Sequence, residues 1–295
     1  MDAETHPLNL LNGPGRCLTA GPRCWLRFTG TAPVRTFGGQ LAAHCICAAA
    51  SIASQDLVCS SLHIVFLRPG TLVETQYEPS TLREGRSFSV FEVRATETAS
   101  NKTLVVAIVS FQNLRLESSP KRLISAKMPS VPDPESCQAG LFASMHSIDS
   151  YLSMCPIDSC GLLFWMRWSK LLPLETAWEL SSALAFMSDM QISFAPGKLL
   201  IPAHARVAHG IMTQQDVANF GVTSASIDHS VHFHATEHGW EAGEWLLFET
   251  ECHTAGSGRA QTASRIWSRR GELLASVTQD ALFRLRRTDG LMSRL

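Results

Sequence analysis

The chain has 295 residues, 45% of them hydrophobic, with 26 acidic against 25 Lys and Arg side chains and a net charge of −1; that is core material for one large domain or two modest ones. The charge balance excludes a strongly basic nucleic-acid binder and an acidic disordered chain. No apolar run reaches the ~18 residues of a spanning helix, and no charged start leads into an apolar block, so neither a membrane span nor secretion is expected.

In chain order, the first expected element is a helix over Gly38–Ala50, small-residued and apolar nearly all round, which implies burial on every side. Strand-like runs follow at Ser61–Leu67, Leu72–Tyr77, Phe88–Thr96 and Leu104–Gln112, bounded by turn residues such as Arg68-Pro69-Gly70 and Glu78-Pro79-Ser80. Leu114–Cys137, with four prolines among serines and charges, reads as an exposed connector. Residues 139–170 are ambiguous, with Leu162–Trp168 either strand or helix. A second helix is expected from Leu174 to about Gln191, then strands at Ser226–His234, Trp245–His253, Arg259–Ser268 and Leu273–Arg284. Phe66 and Phe233 are 167 positions apart, as are Gln112 and Gln279, and the order of elements matches. The pattern reads as a duplicated unit of α+β class, each half a buried helix against a curved antiparallel sheet.

The nine cysteines are odd in number, and Cys45, Cys47 and Cys59 lie in apolar sequence, so reduced thiols are expected. No Cys-x-x-Cys spacing supports a zinc site. Gly256-Ser257-Gly258 is a turn rather than a nucleophile elbow, and Gly38-Gly39 has no lysine to complete a phosphate-binding loop. Three polar residues stand out against apolar neighbours: Asp189 near the end of the second helix, Ser226 opening a strand, and Gln279 ending one. A buried carboxylate is costly unless compensated. From the residues alone, Asp189 also reads as a helix-end cap and Gln279 as a strand-edge amide. Strict alternation would turn Ser226 and Asp228 to one face and Ile227 and His229 to the other. His229, His232, His234 and His238 invite a metal reading, but no carboxylate is placed to orient them, so no metal is expected. Ser293-Arg294-Leu295 is a conservative variant of the Ser-Lys-Leu peroxisomal address.

Several stretches, in order, resemble the acyl-CoA thioesterase II family of bacterial and peroxisomal enzymes. They are Thr36-Phe37-Gly38-Gly39-Gln40, Phe66-Leu67-Arg68-Pro69-Gly70, Leu82 through Ser89 (with Arg83 and Arg86), Ser188-Asp189, Ile227-Asp228-His229-Ser230, Phe233-His234, Glu244-Trp245-Leu246-Leu247 and Gly271 through Gln279. The resemblance covers about residues 10–287 and is poor between 113 and 180. It implies a double hotdog, two antiparallel sheets each wrapping a central helix and continuous with one another, with an N-terminal hotdog over 1–115 and a connector over 116–170. The C-terminal hotdog over 171–288 carries the catalytic trio, and a tail over 289–295 carries the address. Carried over position by position, the trio looks like Asp189, Ser226 and Gln279, with Ser226 standing where bacterial members have Thr. Gly38, Gly39, Gln40, Arg83 and Arg86 are the implied substrate-binding residues.

The implied reaction is hydrolysis of an acyl-CoA thioester to free acid and coenzyme A, without cofactor. Asp189 would take a proton from a water held by Ser226 and Gln279, and backbone N–H groups at Gly38–Gln40 would meet the oxyanion. The implied partners are the acyl-CoA substrate, a peroxisomal import receptor reading the C-terminal tripeptide, and a second copy of the chain. Nucleic acid is not expected. Departures from the family pattern, at His232 and at Ala235-Thr236, leave two alternatives: a specialised biosynthetic hotdog enzyme (hydratase, dehydratase or acyl release) and a non-catalytic acyl-CoA binding protein. Hotdog hydratases set a His about five residues after the Asp, and here that position is Phe194. Acyl-chain selection is expected to depend on Trp178, Met187, Met190 and His232.

Overall fold

The computed structural model describes residues 6–13, 17–21, 35–118, 124–136, 152–158, 162–200, 221–234 and 238–285. The tripeptide at 293–295, Arg286, Arg287 and Ala235-Thr236 lie outside them. The strands are β1 (Leu11–Asn12), β2 (Leu18–Ala20), β3 (Val58–Phe66), β4 (Thr75–Arg83), β5 (Phe88–Glu97), β6 (Lys102–Gln112), β7 (Leu152–Pro156), β8 (Leu163–Trp168), β9 (Val222–Phe233), β10 (Trp245–Gly256), β11 (Arg259–Ser268) and β12 (Leu273–Leu285). The helices are α1 (Gly38–Ala50), α2 (Ala177–Ser188) and the short α3 (Ala195–Leu200).

The two expected sheets are continuous, as the resemblance implies. Twelve strands run in the order β1-β2-β4-β5-β6-β3-β9-β12-β11-β10-β8-β7, and the halves join where β3 pairs antiparallel with β9, Ser61 opposite His232 through Val65 opposite Asp228. Joining the halves through their backbones removes two exposed strand edges. The stretch 116–170, expected to be a connector, supplies two strands, since β8 pairs with β10 and β7 with β8. Around Pro132 the chain lies over a second apolar cluster that includes Trp165, Trp245 and Trp267. Met128 and Val131 pack there, and the Trp165 indole donates to the Pro132 carbonyl at 3.0 Å.

β4 continues through Glu78-Pro79-Ser80, read above as a turn. Among the described residues no strand pairs with the outer side of β4 beyond Tyr77, an edge position of the kind that tolerates proline, and the strand runs on.

Both long helices are buried, as their apolar composition requires. α1 rests on β3, β4, β5 and β6 and packs along α2. α2 opens with a capping box in which the Glu179 backbone N–H donates to Thr176 Oγ1 at 3.3 Å and the Thr176 N–H donates to Glu179 Oε2 at 2.7 Å. The helices run antiparallel, because Cys47 late in α1 meets Ser182 early in α2, and Gly39 at the start of α1 meets Phe186 late in α2. Both glycines of Gly38-Gly39 are explained by this approach. A Cβ on Gly39 would lie 2.5 Å from the Phe186 carbonyl oxygen, and one on Gly38 would lie 2.7 Å from Asp189 Oδ2.

A β-bulge breaks each of the two central pairings. Ser60 is unpaired between Cys59 and Ser61 in β3, and Ile227 between Ser226 and Asp228 in β9, so the bulges repeat the 167-residue spacing of Phe66 and Phe233. The Gln112–Gln279 landmark does not survive this comparison. Gln279 lies opposite His229, whose counterpart at that spacing is Leu62, and Leu62 lies opposite Val109. Gln112 lies at the strand end, opposite Val58.

Candidate active site

Asp189 is the C-cap of α2, where the helix stops against the first turn of α1. Its carboxylate is buried and accepts the Gly39 backbone N–H, at the positive end of the α1 dipole. The bland reading of Asp189 as a helix-end residue is therefore true of its position and incomplete for its side chain, which serves the neighbouring helix.

Ser226 and Gln279 converge on it. The Ser226 hydroxyl donates to Asp189 Oδ1 at 3.1 Å, and the Gln279 amide Nε2 donates to Ser226 Oγ at 2.9 Å. Gln279 also hydrogen-bonds the carboxylate. Burial nevertheless dominates and pushes the Asp189 carboxyl up to about 7, against the lowering effect of Ser226, Gly39 and Gln279. An acid poised there at neutral pH can take up and return a proton.

Two further residues extend the chain of bonds. His229 Nδ1 lies 2.6 Å from Gln279 Oε1, and His229 Nε2 lies 2.8 Å from Ser188 Oγ. His229 is fully buried, and burial holds its imidazole neutral, with a pKa of about 4. Strict alternation places Ser226 and His229 on opposite faces, and the structure places them on the same one. The cause is the bulge at Ile227, whose extra residue restores the phase between them. Asp228 faces away from the trio, with Oδ1 accepting the Asp280 backbone N–H at 3.2 Å, while the Asp280 carboxylate pairs with Arg259. The sequence offered His229 in a histidine cluster and in the family stretch Ile227-Asp228-His229-Ser230 without a role, because its partners come from β12 and α2.

The other histidines of that cluster lie elsewhere. His232 is exposed, its ring 5.2 Å from that of His63, and His234 Nε2 is 2.9 Å from Ser276 Oγ. His232 thus stands away from the trio. Among the described residues no group of His, Cys, Asp and Glu has the geometry to hold a metal ion.

The implied substrate-binding residues divide. Gly38 and Gly39 press against Asp189 and Phe186. The Gly39 N–H, expected to face an oxyanion, is directed at the carboxylate instead. Gln40 is turned into the core, its backbone N–H donating to the Phe37 carbonyl at 3.2 Å and its side-chain amide to the Pro7 carbonyl at 3.1 Å. Arg83 and Arg86 are exposed at the tip of the β4–β5 hairpin. Along the sheet that tip is four strands from β9 on its β4 side and three on its β5 side. It is also level with Ser61, toward the end of β3 opposite Phe66, the residue beside Gly38. The fold does not bring these arginines to the trio.

A buried carboxylate, hydroxyl and amide on this sheet-and-helix frame define a hotdog-fold thioesterase. Residues 29–112 match the family model of the acyl-CoA thioesterase N-terminal domain, and residues 130–283 match that of the C-terminal domain. The chain belongs to the acyl-CoA thioesterase II family. It is 28% identical over 286 residues to acyl-coenzyme A thioesterase 8 of Mus musculus, covering 85% of this chain and 81% of that one. It is 25% identical over 271 residues to acyl-CoA thioesterase 2 of Haemophilus influenzae, covering 85% and 88%. Among solved structures it is similar to acyl-CoA thioesterase II TesB2 from Mycobacterium marinum, with a TM-score of 0.71, 24% identity and coverage of 97% and 98%. A hot dog fold protein from Alicyclobacillus acidocaldarius matches with a TM-score of 0.73, 18% identity and coverage of 97% and 100%.

Proposed function

We infer that the protein hydrolyses an acyl-CoA thioester to the free acid and coenzyme A, with Asp189 as general base and Ser226 and Gln279 as the groups that hold the attacking water. The observation that carries this reading is the convergence of the three side chains, with Ser226 Oγ 3.1 Å from Asp189 Oδ1 and 2.9 Å from Gln279 Nε2. The water oxygen attacks the thioester carbonyl as its proton passes to Asp189. The tetrahedral oxyanion then collapses, the C–S bond breaks, and the coenzyme A thiolate takes a proton. A thiolate leaves readily, because a free thiol ionises near ~8.5, so neither a covalent nucleophile nor a strong general acid is required.

Mixing the protein with acyl-CoAs of graded chain length and following free thiol tests the reading and sets chain-length preference. Asp189→Asn is expected to lower kcat at least about a hundredfold, the scale of a positioned general base, with the fold intact by circular dichroism. Thiol release by Asp189→Asn near the wild-type rate removes Asp189 from the reaction. No thiol release from any acyl-CoA, with binding retained, favours the non-catalytic alternative.

The repeated bulge, the strand order mirrored about the β3–β9 seam and the matched helices support two hotdog units within one sheet. Ser293-Arg294-Leu295 supports a peroxisomal address read by an import receptor, and with it a place in lipid metabolism. Microscopy of a fluorescent fusion with and without those residues tests the address. Association into a homo-oligomer is part of the same reading, tested by sedimentation.

A further inference from the structure

The bonds around Asp189 form one continuous chain: Ser188 Oγ to His229 Nε2 at 2.8 Å, His229 Nδ1 to Gln279 Oε1 at 2.6 Å, Gln279 Nε2 to Ser226 Oγ at 2.9 Å, and Ser226 Oγ to Asp189 Oδ1 at 3.1 Å. A neutral imidazole has one donor nitrogen and one acceptor, a primary amide has a donor end and an acceptor end, and a hydroxyl has one proton. From His229 to Asp189 every link is therefore polarised in the same sense. The one proton of Ser188 has two acceptors, His229 Nε2 at 2.8 Å and the Ala185 carbonyl at 2.9 Å, and the tautomer with the proton on Nδ1 requires that it go to His229. With the proton on His229 Nδ1, the ring donates to Gln279 Oε1, which turns the amide nitrogen toward Ser226 and leaves the serine proton for the carboxylate. With the amide reversed, its oxygen would face Ser226, the serine proton would go to that oxygen, and Asp189 would lose both the Ser226 and the Gln279 donor.

We propose that His229 is a positioning residue of this site: its Nδ1–H fixes the orientation of the Gln279 amide, and so makes the hydrogen bonds at Asp189 favour the ionised base. The proposal rests on the reading of Asp189, Ser226 and Gln279 as the catalytic trio. The first half of the molecule shows what the same frame holds without this requirement. At the positions equivalent to Ser226, His229 and Gln279 it carries Cys59, Leu62 and Val109, with no imidazole and no amide. An imidazole buried at 0% exposure, with a polar atom at each nitrogen, is therefore a feature of the second half's site rather than a demand of the strand.

The test compares two amides of different reach. In His229→Asn the side-chain nitrogen occupies the place of Nδ1, so the donor to Gln279 is kept. In His229→Gln it reaches toward the place of Nε2, and the donor to Gln279 is lost. Hydrolysis by the Asn variant is expected within about threefold of wild type, and kcat of the Gln variant to fall at least about tenfold with KM unchanged. The Gln variant's kcat–pH profile is expected to shift to higher pH, because a carboxylate that loses a donor ionises later. Equal losses in the two variants, or a Gln variant whose profile coincides with wild type, overturn the proposal. Nitrogen NMR of the wild-type protein labelled at histidine gives an answer that needs no variant: a protonated Nδ1 and a bare Nε2 on His229 are expected, and the opposite tautomer refutes the assignment. Asp189→Asn assayed beside them separates the two readings, since near-wild-type hydrolysis by that variant removes the trio, whereas an inactive Asp189→Asn with equal Asn and Gln variants removes only the role of His229.

Discussion

Asp189 works against the stability of the fold that positions it. Its folded pKa of about 7 lies above the ~3.9 of an unfolded aspartate, so between those values the unfolded chain releases a proton that the folded chain keeps. Its contribution to stability is complete below pH ~4 and is lost as pH rises through about 7. Asp189→Asn is accordingly expected to stabilise the protein at pH 8 by roughly 2–4 kcal/mol and to have little effect at pH 4, as measured by urea unfolding at both values. His44 and His229 act in the opposite sense. Burial depresses both to about 4, so each supports folding above pH ~6.5 and loses that support as pH falls toward 4. Unfolding midpoints followed down from pH 7 are expected to drop through that window, and His44→Asn is expected to flatten the drop. At this scale the sequence showed a carboxylate, a hydroxyl and an amide out of keeping with their neighbours. It did not show His229 in the same chain of bonds, because that requires the pairing of β9 with β12, which no local pattern contains.

Element boundaries were legible where composition and burial agree. α1 and β11 run over the expected residues, Gly38–Ala50 and Arg259–Ser268, because a helix buried on all sides and a strand bounded by turns announce themselves. The facing of Ser226 was not legible, since one bulge residue inverts the parity on which alternation depends. Gly38-Gly39 was legible as a motif, and the structure supplies its cause, the closest approach of α1 to the end of α2. Gly39→Ala is expected to cost roughly 1–3 kcal/mol by forcing that approach apart, while Gly256→Ala, whose Cβ would meet nothing within 4 Å, is expected to leave stability within ~0.5 kcal/mol. Urea titration of the two variants side by side checks this.

Across the whole molecule, the strand order on one side of the β3–β9 seam mirrors that on the other, and Asp189, Ser226 and Gln279 all come from the second half. The seam of β3 with β9 brings the first half's α1 against the second half's Asp189, so the candidate site draws on both halves although its three polar side chains come from one. The matched halves were visible in the order of elements and the continuity of the sheet followed from the family resemblance, whereas the strands within 116–170 depend on pairings between distant stretches. Arg83 and Arg86, grouped with the substrate by sequence resemblance, lie on a hairpin tip away from the strands that carry Ser226 and Gln279. Their joint replacement by alanine is expected to leave kcat within about threefold of wild type, and the KM for acyl-CoA measured beside it reads their part in binding. The most direct measurement is kcat/KM for acyl-CoA hydrolysis from pH 5 to 9, the quantity that reports groups of the free enzyme. A base of pKa about 7 should give half-maximal kcat/KM near that pH and a fall of about tenfold per unit below it. A kcat/KM that stays level from pH 5 to 8 would mean that Asp189 does not remove the proton.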